Sequence, residues 1–195
     1  VTRDDLVLPG GAQAGDVVLL TKGIAVEATA IIARERGAEL AGRFPEEFLT
    51  RCRDFLHRPG ISVLRDSQIA TAHARVHAMH DPTEGGLATG LWELSRAAGV
   101  GLIVDQGQVD VLPETAALCA EFGLDPMGVI ASGALLVVVA PQDGQRVIAG
   151  LQEAGIAATM IGRVVEAGEG VLVRDDDTTG ELPRFSRDEI VRLFE

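Results

Sequence analysis

The stretch Val76-His77-Ala78-Met79-His80-Asp81-Pro82-Thr83-Glu84-Gly85-Gly86-Leu87-Ala88-Thr89-Gly90-Leu91 decides the reading of this chain. Val76 to Met79 is strand-like. After the turn, Leu87, Leu91, Leu94 and Ala98 recur at spacings of four, three and four, which is one face of a helix. Between them lies an acidic, glycine-bearing turn that leads a strand into a helix N-terminus. Such a turn can act in two ways. Its N–H groups and the helix dipole can receive an anion, typically a phosphate. Alternatively, its Asp, Thr and Glu side chains can cap the helix with no ligand at all. Pro82 fixes one φ angle, and two adjacent glycines allow positive φ and close backbone approach. Asp81 can orient a Mg²⁺-bound water or a ligand hydroxyl, and Thr83 can cap or touch a phosphate.

The same alternation extends outward. Strands are expected at 17–20, 100–104 and 134–139, all short and strongly apolar. Helices are expected at 24–36 with Gly37 as C-cap, at 45–56 until Pro59-Gly60, and at 61–73, 113–122 and 142–154. Residues 157–164 and 170–174 read as a hairpin joined by Glu166-Ala167-Gly168-Glu169. Ser186 is the expected N-cap of a last helix, with Glu189 at the capping-box position. Strands alternating with helices give an α/β class, a layered α/β/α domain, and the late hairpin makes the sheet mixed. Residues 1–14 read as a connector and 15–195 as one domain.

Composition narrows the function classes. The 195 residues are 47% hydrophobic and carry a formal net charge of −12. That balance argues against nucleic acid and against an anionic membrane as partners. No apolar run reaches the roughly 18 residues of a membrane span. Cys52 and Cys119 lack CxxC spacing and read as buried thiols in a reducing, cytoplasmic setting. The chain starts without Met, so it is expected to be cut from something larger or processed.

Other candidates are weaker. His73, His77 and His80 are spaced by four and three, but the last two fall on the strand and turn, facing opposite ways, so no metal site is expected. Lys22, beside Gly23 after an apolar strand, can face a phosphate or can be simply solvated, since GxxxxGK[ST] is missing. Ser132-Gly133 is a turn without the G-x-S-x-G pattern. Asp175-Asp176-Asp177 reads as a solvated loop.

Four segments in order, "GDVVLLTKGIAVEATAIIARE", "HDPTEGGLATGLWELSRAAGVGLIVD", "LCAEFGLDPMGVIASGALLVVVAP" and "LQEAGIAATMIGRV", carry a family resemblance. Together they resemble the C-terminal domain of the aminoimidazole ribonucleotide (AIR) synthetase superfamily. The nearest branch looks like the AIR synthase-related proteins close to the hydrogenase maturation factor that dehydrates a carbamoyl group. The resemblance implies an enzyme that uses ATP and Mg²⁺ to activate an oxygen atom or to transfer a phosphate. It implies two α/β domains, a homodimer formed mainly by the N-terminal one, and most acidic Mg²⁺–ATP ligands in that half. By motif match, Asp81, Thr83, Gly85 and Gly86 would face the phosphates or substrate. Lys22 joins them on its own reading, and no catalytic residue is assigned.

The chain departs from the pattern. With no N-terminal domain before Val1, it is expected to be an isolated half, inactive and without bound ATP or Mg²⁺ on its own. No cysteine follows Cys119 to accept a carbamoyl group, and Ser132-Gly133-Ala134 stands where the maturation factor resembles Glu-Gly-Lys. The expected acceptor is therefore a small molecule rather than a carbamoyl group. The rival reading is a non-catalytic binding or assembly module.

Overall fold

Val18 and Leu20 face one side of the first strand, Val17 and Leu19 the other, and each pair enters its own core. That is why the run is apolar without alternation. A computed structural model describes residues 6–176 and 178–195. Residues 1–5 of the expected connector and Asp177 of the acidic run lie outside the described residues.

In chain order the elements are β1 (Val17–Thr21), α1 (Val26–Glu35), α2 (Gly37–Leu40), α3 (Glu46–Asp54), α4 (Leu64–His73), β2 (Val76–His80) and α5 (Gly86–Ala98). There follow β3 (Gly101–Asp105), α6 (Pro113–Phe122), β4 (Leu136–Val139), α7 (Pro141–Glu153), β5 (Ala158–Val165), β6 (Val171–Asp175) and β7 (Thr178–Glu181). The strands form one sheet in the order β2-β4-β1-β5-β3-β6-β7. Among these, β3 and β6 are parallel and the other neighbouring pairs antiparallel, so the sheet is mixed.

Helices cover both faces. Leu87, Leu91 and Leu94 of α5 pack on Val18, Leu20, Leu136 and Val138. Ala70 of α4 and Val147, Ile148 and Leu151 of α7 pack on Leu19, Val137 and Val139. A third cluster joins α1, α3 and α6 through Ile32, Leu49, Cys52, Leu118 and Cys119. The layered α/β/α domain is thus as expected. Pro9–Gly11 forms a 3₁₀ turn against β2 and α5, and Ala12 is buried in the α5 core.

Three local expectations are corrected. The strands 158–165 and 171–175 are not a hairpin, because both flank β3. The turn Ala167–Glu169 carries the chain over the start of β3, where Gly101 makes room: a Cβ there would lie 2.6 Å from Glu166 O and 2.7 Å from Gly170 O. The true hairpin is β6–β7. Gly37 does not end α1. It opens α2, whose Leu40 is fully buried in the helical cluster. The last helix is a 3₁₀ turn, Glu189–Leu193, and Asp188 rather than Ser186 caps it, accepting from Ile190 N.

The sheet register sets the position of the motif. Leu20 and His80 both pair with Leu136, and Thr21 pairs with Ala158. The ends of β1 and β2 and the starts of β4 and β5 therefore share one edge of the sheet.

Candidate functional site

The glycine turn leaves β2 at that edge. Pro82 is buried beneath α5, and Gly90 admits it: a Cβ on Gly90 would sit 2.7 Å from Pro82 Cβ. Asp81, Thr83 and Glu84 are exposed, while Gly85 and Gly86 are buried. Both glycines have left-handed backbone, with φ of 78° and 71°. Gly85 is the N-cap of α5 and no side chain of the turn caps the helix.

Three amides at this turn are already engaged. Gly86 N–H donates to Thr83 O at 3.1 Å, and Ala88 N–H donates to Met127 O at 3.0 Å. Gly85 N–H donates to the carboxylate of Asp188 at 2.8 Å, across 103 residues of chain. Asp188 is buried, and it also accepts from Ile130 N at 3.2 Å and Ile190 N at 2.9 Å. A carboxylate does meet the positive end of α5, as the dipole favours, but it is the chain's own. The C-terminal segment, the loop before β4 and the glycine turn are tied at this one group. Thr83 O also accepts from Ala131 N at 3.1 Å, which sets Ser132 beside the turn. Gly85 and Gly86 are closely packed, and Asp81, Thr83 and Glu84 are the motif's outward-facing groups.

Lys22 is buried rather than solvated. Its side chain is 5% exposed, and its backbone has φ 62°. The ammonium donates to Ser62 O at 2.8 Å and lies 3.2 and 3.3 Å from the two oxygens of Asp66. Asp66, in the first turn of α4, accepts a third bond from Thr21 Oγ1 at 2.7 Å. An apolar strand ending in Thr-Lys signalled a loop cation. Its acid lies 44 residues away, and the sequence alone did not single it out.

The histidines are individually paired. His77 Nδ1 meets the buried Asp16 at 2.8 Å and His80 Nε2 meets Glu93 at 2.8 Å. Among the described residues no three His, Cys, Asp or Glu side chains converge on a metal position. From the turn, Asp81, Thr83 and Glu84 are exposed.

Comparison with known proteins adds what the geometry leaves open. The family described as AIR synthase related protein, C-terminal domain, matches residues 13–175. The chain belongs to this family. A curated relative, the carbamoyl dehydratase HypE of Cupriavidus necator, is 32% identical over 167 residues, covering 84% of this chain and 44% of that protein. Solved structures share the fold. HypE of Escherichia coli superposes with a TM-score of 0.78 at 21% identity, over 96% of this chain and 55% of that one. A HypE in complex with ATP gives 0.72 at 20% identity, over 98% and 57%. Thiamine-monophosphate kinase from Stenotrophomonas maltophilia gives 0.69 at 21% identity, over 94% and 56%. The chain spans about half the length of the curated relatives it matches. Among the described residues no helix is long and apolar enough to cross a membrane.

Proposed function

We propose that this chain is the C-terminal domain of a cytoplasmic ATP- and Mg²⁺-dependent enzyme that activates or phosphorylates an oxygen atom of a small-molecule acceptor. The observation that carries this reading is the glycine turn itself. In a family that includes a relative seen with ATP, the turn buries its glycines and holds Asp81 and Thr83 outward at the edge of the sheet. These two side chains are the domain's contribution to a shared site, together with the backbone carried by Gly85 and Gly86. The nucleotide and metal ligands, and the homodimer contact, belong to an N-terminal half.

The test is Asp81→Ala in a polypeptide that carries both halves. ATP turnover with a responsive metabolite pool should fall by about 100-fold or more, the scale of losing one positioned polar group, with the melting temperature unchanged. Unaltered turnover would remove Asp81 from the site. A second reading is carbamoyl dehydration, supported by the 32% identity to a HypE. Ser132-Gly133-Ala134 argues against it where the resemblance places Glu-Gly-Lys. ATP consumption that needs a carbamoylated protein, and no small molecule, would select that second reading. No ATP consumption with either would leave a binding module.

A further inference from the structure

We propose that the end of the sheet opposite the glycine turn carries a pocket for a phosphate monoester, held by Arg75 and by the second ring nitrogen of His77. The cavity there holds about 520 Å³ and is lined by Leu6, Gln13, Thr71, Arg75, Val76 and His77 among others. That lies within the usual range for ligand pockets. β1 and β2 begin at this end, since Val17 and Val76 both pair with Val139. From His77 to Asp81 the chain advances four residues, about 13 Å of extended backbone. The glycine turn therefore takes no part in the pocket, and the inference does not rest on the function proposed above.

A bulge in β2 aims the histidine. Val76 pairs with Val139 and Ala78 with Val138, so His77 is an extra residue against the β4 ladder. In a regular strand Val76 and Ala78 would share a face. Here Val76 packs into the core under α4 and α7, and Ala78 into the core under α5. His77 is thereby released from both, and bulges are a common device for re-aiming a side chain. The chain before β1 then fixes the ring. Asp16 N–H donates to Gln13 O at 3.0 Å, and Gln13 N–H donates to Asp16 Oδ2 at 2.9 Å, which closes a turn. The same oxygen of the buried Asp16 meets His77 Nδ1 at 2.8 Å. A carboxylate only accepts, so Nδ1 carries the proton. Nε2 makes no hydrogen bond among the described residues, and the ring, 19% exposed, borders the cavity.

The lining decides the ligand's chemistry. In a chain with 29 acidic and 17 basic residues, the exposed Arg75 still meets no acid within ion-pair distance among the described residues. Its guanidinium is free to grip an oxyanion through two parallel N–H bonds. Thr71 Oγ1 spends its proton on Ser67 O at 2.9 Å, which leaves its lone pairs to accept. The Gln13 side chain adds an amide, and Leu6 and Val76 add apolar wall for an ester's carbon. The pocket thus offers a fork of donors, a ring nitrogen that can hold or accept a proton, and a hydroxyl acceptor. A phosphate monoester suits this set better than a carboxylate or a sulfate ester. Its second proton has a pKa of about 6, so near neutrality that proton passes readily between a phosphate oxygen and an imidazole nitrogen. The hydrogen bond to Nε2 forms wherever the proton sits. A carboxylate or a sulfate ester brings no such proton near neutrality.

The experiment is an NMR titration of the ¹⁵N-labelled chain with methyl phosphate, methyl sulfate and acetate as separate probes. Salt at about 0.1 M screens the chain's distant charges. Methyl phosphate should give saturable shifts at the Gln13, Asp16 and His77 amides and at His77 Nε2, in the millimolar range expected of so small a ligand. Arg75→Gln should weaken it by about tenfold or more, the scale of one charge-assisted hydrogen bond. Arg65→Gln is the control. It removes the same charge at the far end of α4, about 15 Å away, and should leave affinity within about twofold. Both arginines are exposed, so neither change threatens the fold. Absence of saturable shifts overturns the pocket, as does an unmoved Nε2 at saturation or equal weakening by the two variants. Methyl sulfate or acetate binding as tightly as methyl phosphate overturns the phosphate class.

Discussion

Gly86 shows how much of the motif is packing. Its φ is 71°, and a Cβ there would lie 2.4 Å from Met127 O and 2.7 Å from Val129 O. Those carbonyls cannot retreat, because Met127 O accepts from Ala88 and the loop is pinned at Ile130 by Asp188. Gly86→Ala should therefore cost more than about 3 kcal/mol, combining left-handed strain with a backbone clash. Gly99 is the control: its φ is 67° with nothing within 4 Å. Gly99→Ala should cost only about 1–2 kcal/mol. Urea unfolding of the two variants measures the difference, and equal costs would mean that the loop yields. Asp188 belongs to the same scale. Asp188→Ala strands the buried Gly85 N–H, at roughly 1–3 kcal/mol, and the partly buried Ile130 N–H at less. Asp188→Asn keeps an acceptor oxygen and should recover part of that loss. Indistinguishable midpoints for the Ala and Asn variants would show that this joint does not hold the turn.

Elements were legible in the sequence where burial is local and periodic. Leu87, Leu91 and Leu94 announce α5, and apolar runs announce β1 and β4, because those side chains answer to one core or to two opposite ones. Signals failed where the partner is remote or the surface is wet. All four residues of β7 are exposed, so no alternation marks it as a strand. The path of β6 over β3 depends on Gly101, some 70 residues earlier, and reads locally as a hairpin. At the site, the exposed Asp81 and Thr83 could be read from the turn. The acids paired with Lys22 and Gly85, Asp66 and Asp188, are set by tertiary contact and carry no local signal. The buried face of α5 should dominate its energetics. Leu91→Ala should cost about 2–5 kcal/mol. Glu93→Ala, which removes an exposed partner of His80, should cost about 1 kcal/mol or less. Thermal unfolding compares them, and a reversed order would place the load of α5 on its outer face.

Across the whole molecule, two consequences follow from where charge and burial lie. Cys52 and Cys119 sit in the α1–α3–α6 cluster, and burial pushes their thiols up to about 11 and about 12. A folded pKa above the unfolded value means the neutral thiol is favoured in the native state. That contribution is intact below pH of about 9 and is lost as pH rises through the folded values. Iodoacetamide at pH 8 should label neither cysteine in the folded chain and both in urea; labelling without denaturant would contradict the packing. The second consequence concerns the nucleotide. The chain carries a net charge of −12, and its glycine turn has one helix-end amide, Gly85, already taken by Asp188. Asp81 is an exposed carboxylate, and among the described residues it belongs to no group of three His, Cys, Asp or Glu that could hold a metal ion. Mg²⁺ keeps most of its waters unless carboxylates and phosphates converge on it. The division of labour proposed above therefore requires that this chain alone bind Mg²⁺–ATP no tighter than about 1 mM. Calorimetry at low ionic strength, where screening least obscures the interaction, is the measurement. A micromolar dissociation constant would mean that the nucleotide is held by this domain itself, and the phosphate would then have to displace Asp188 from Gly85, which the Asp188→Asn variant would report as tighter binding.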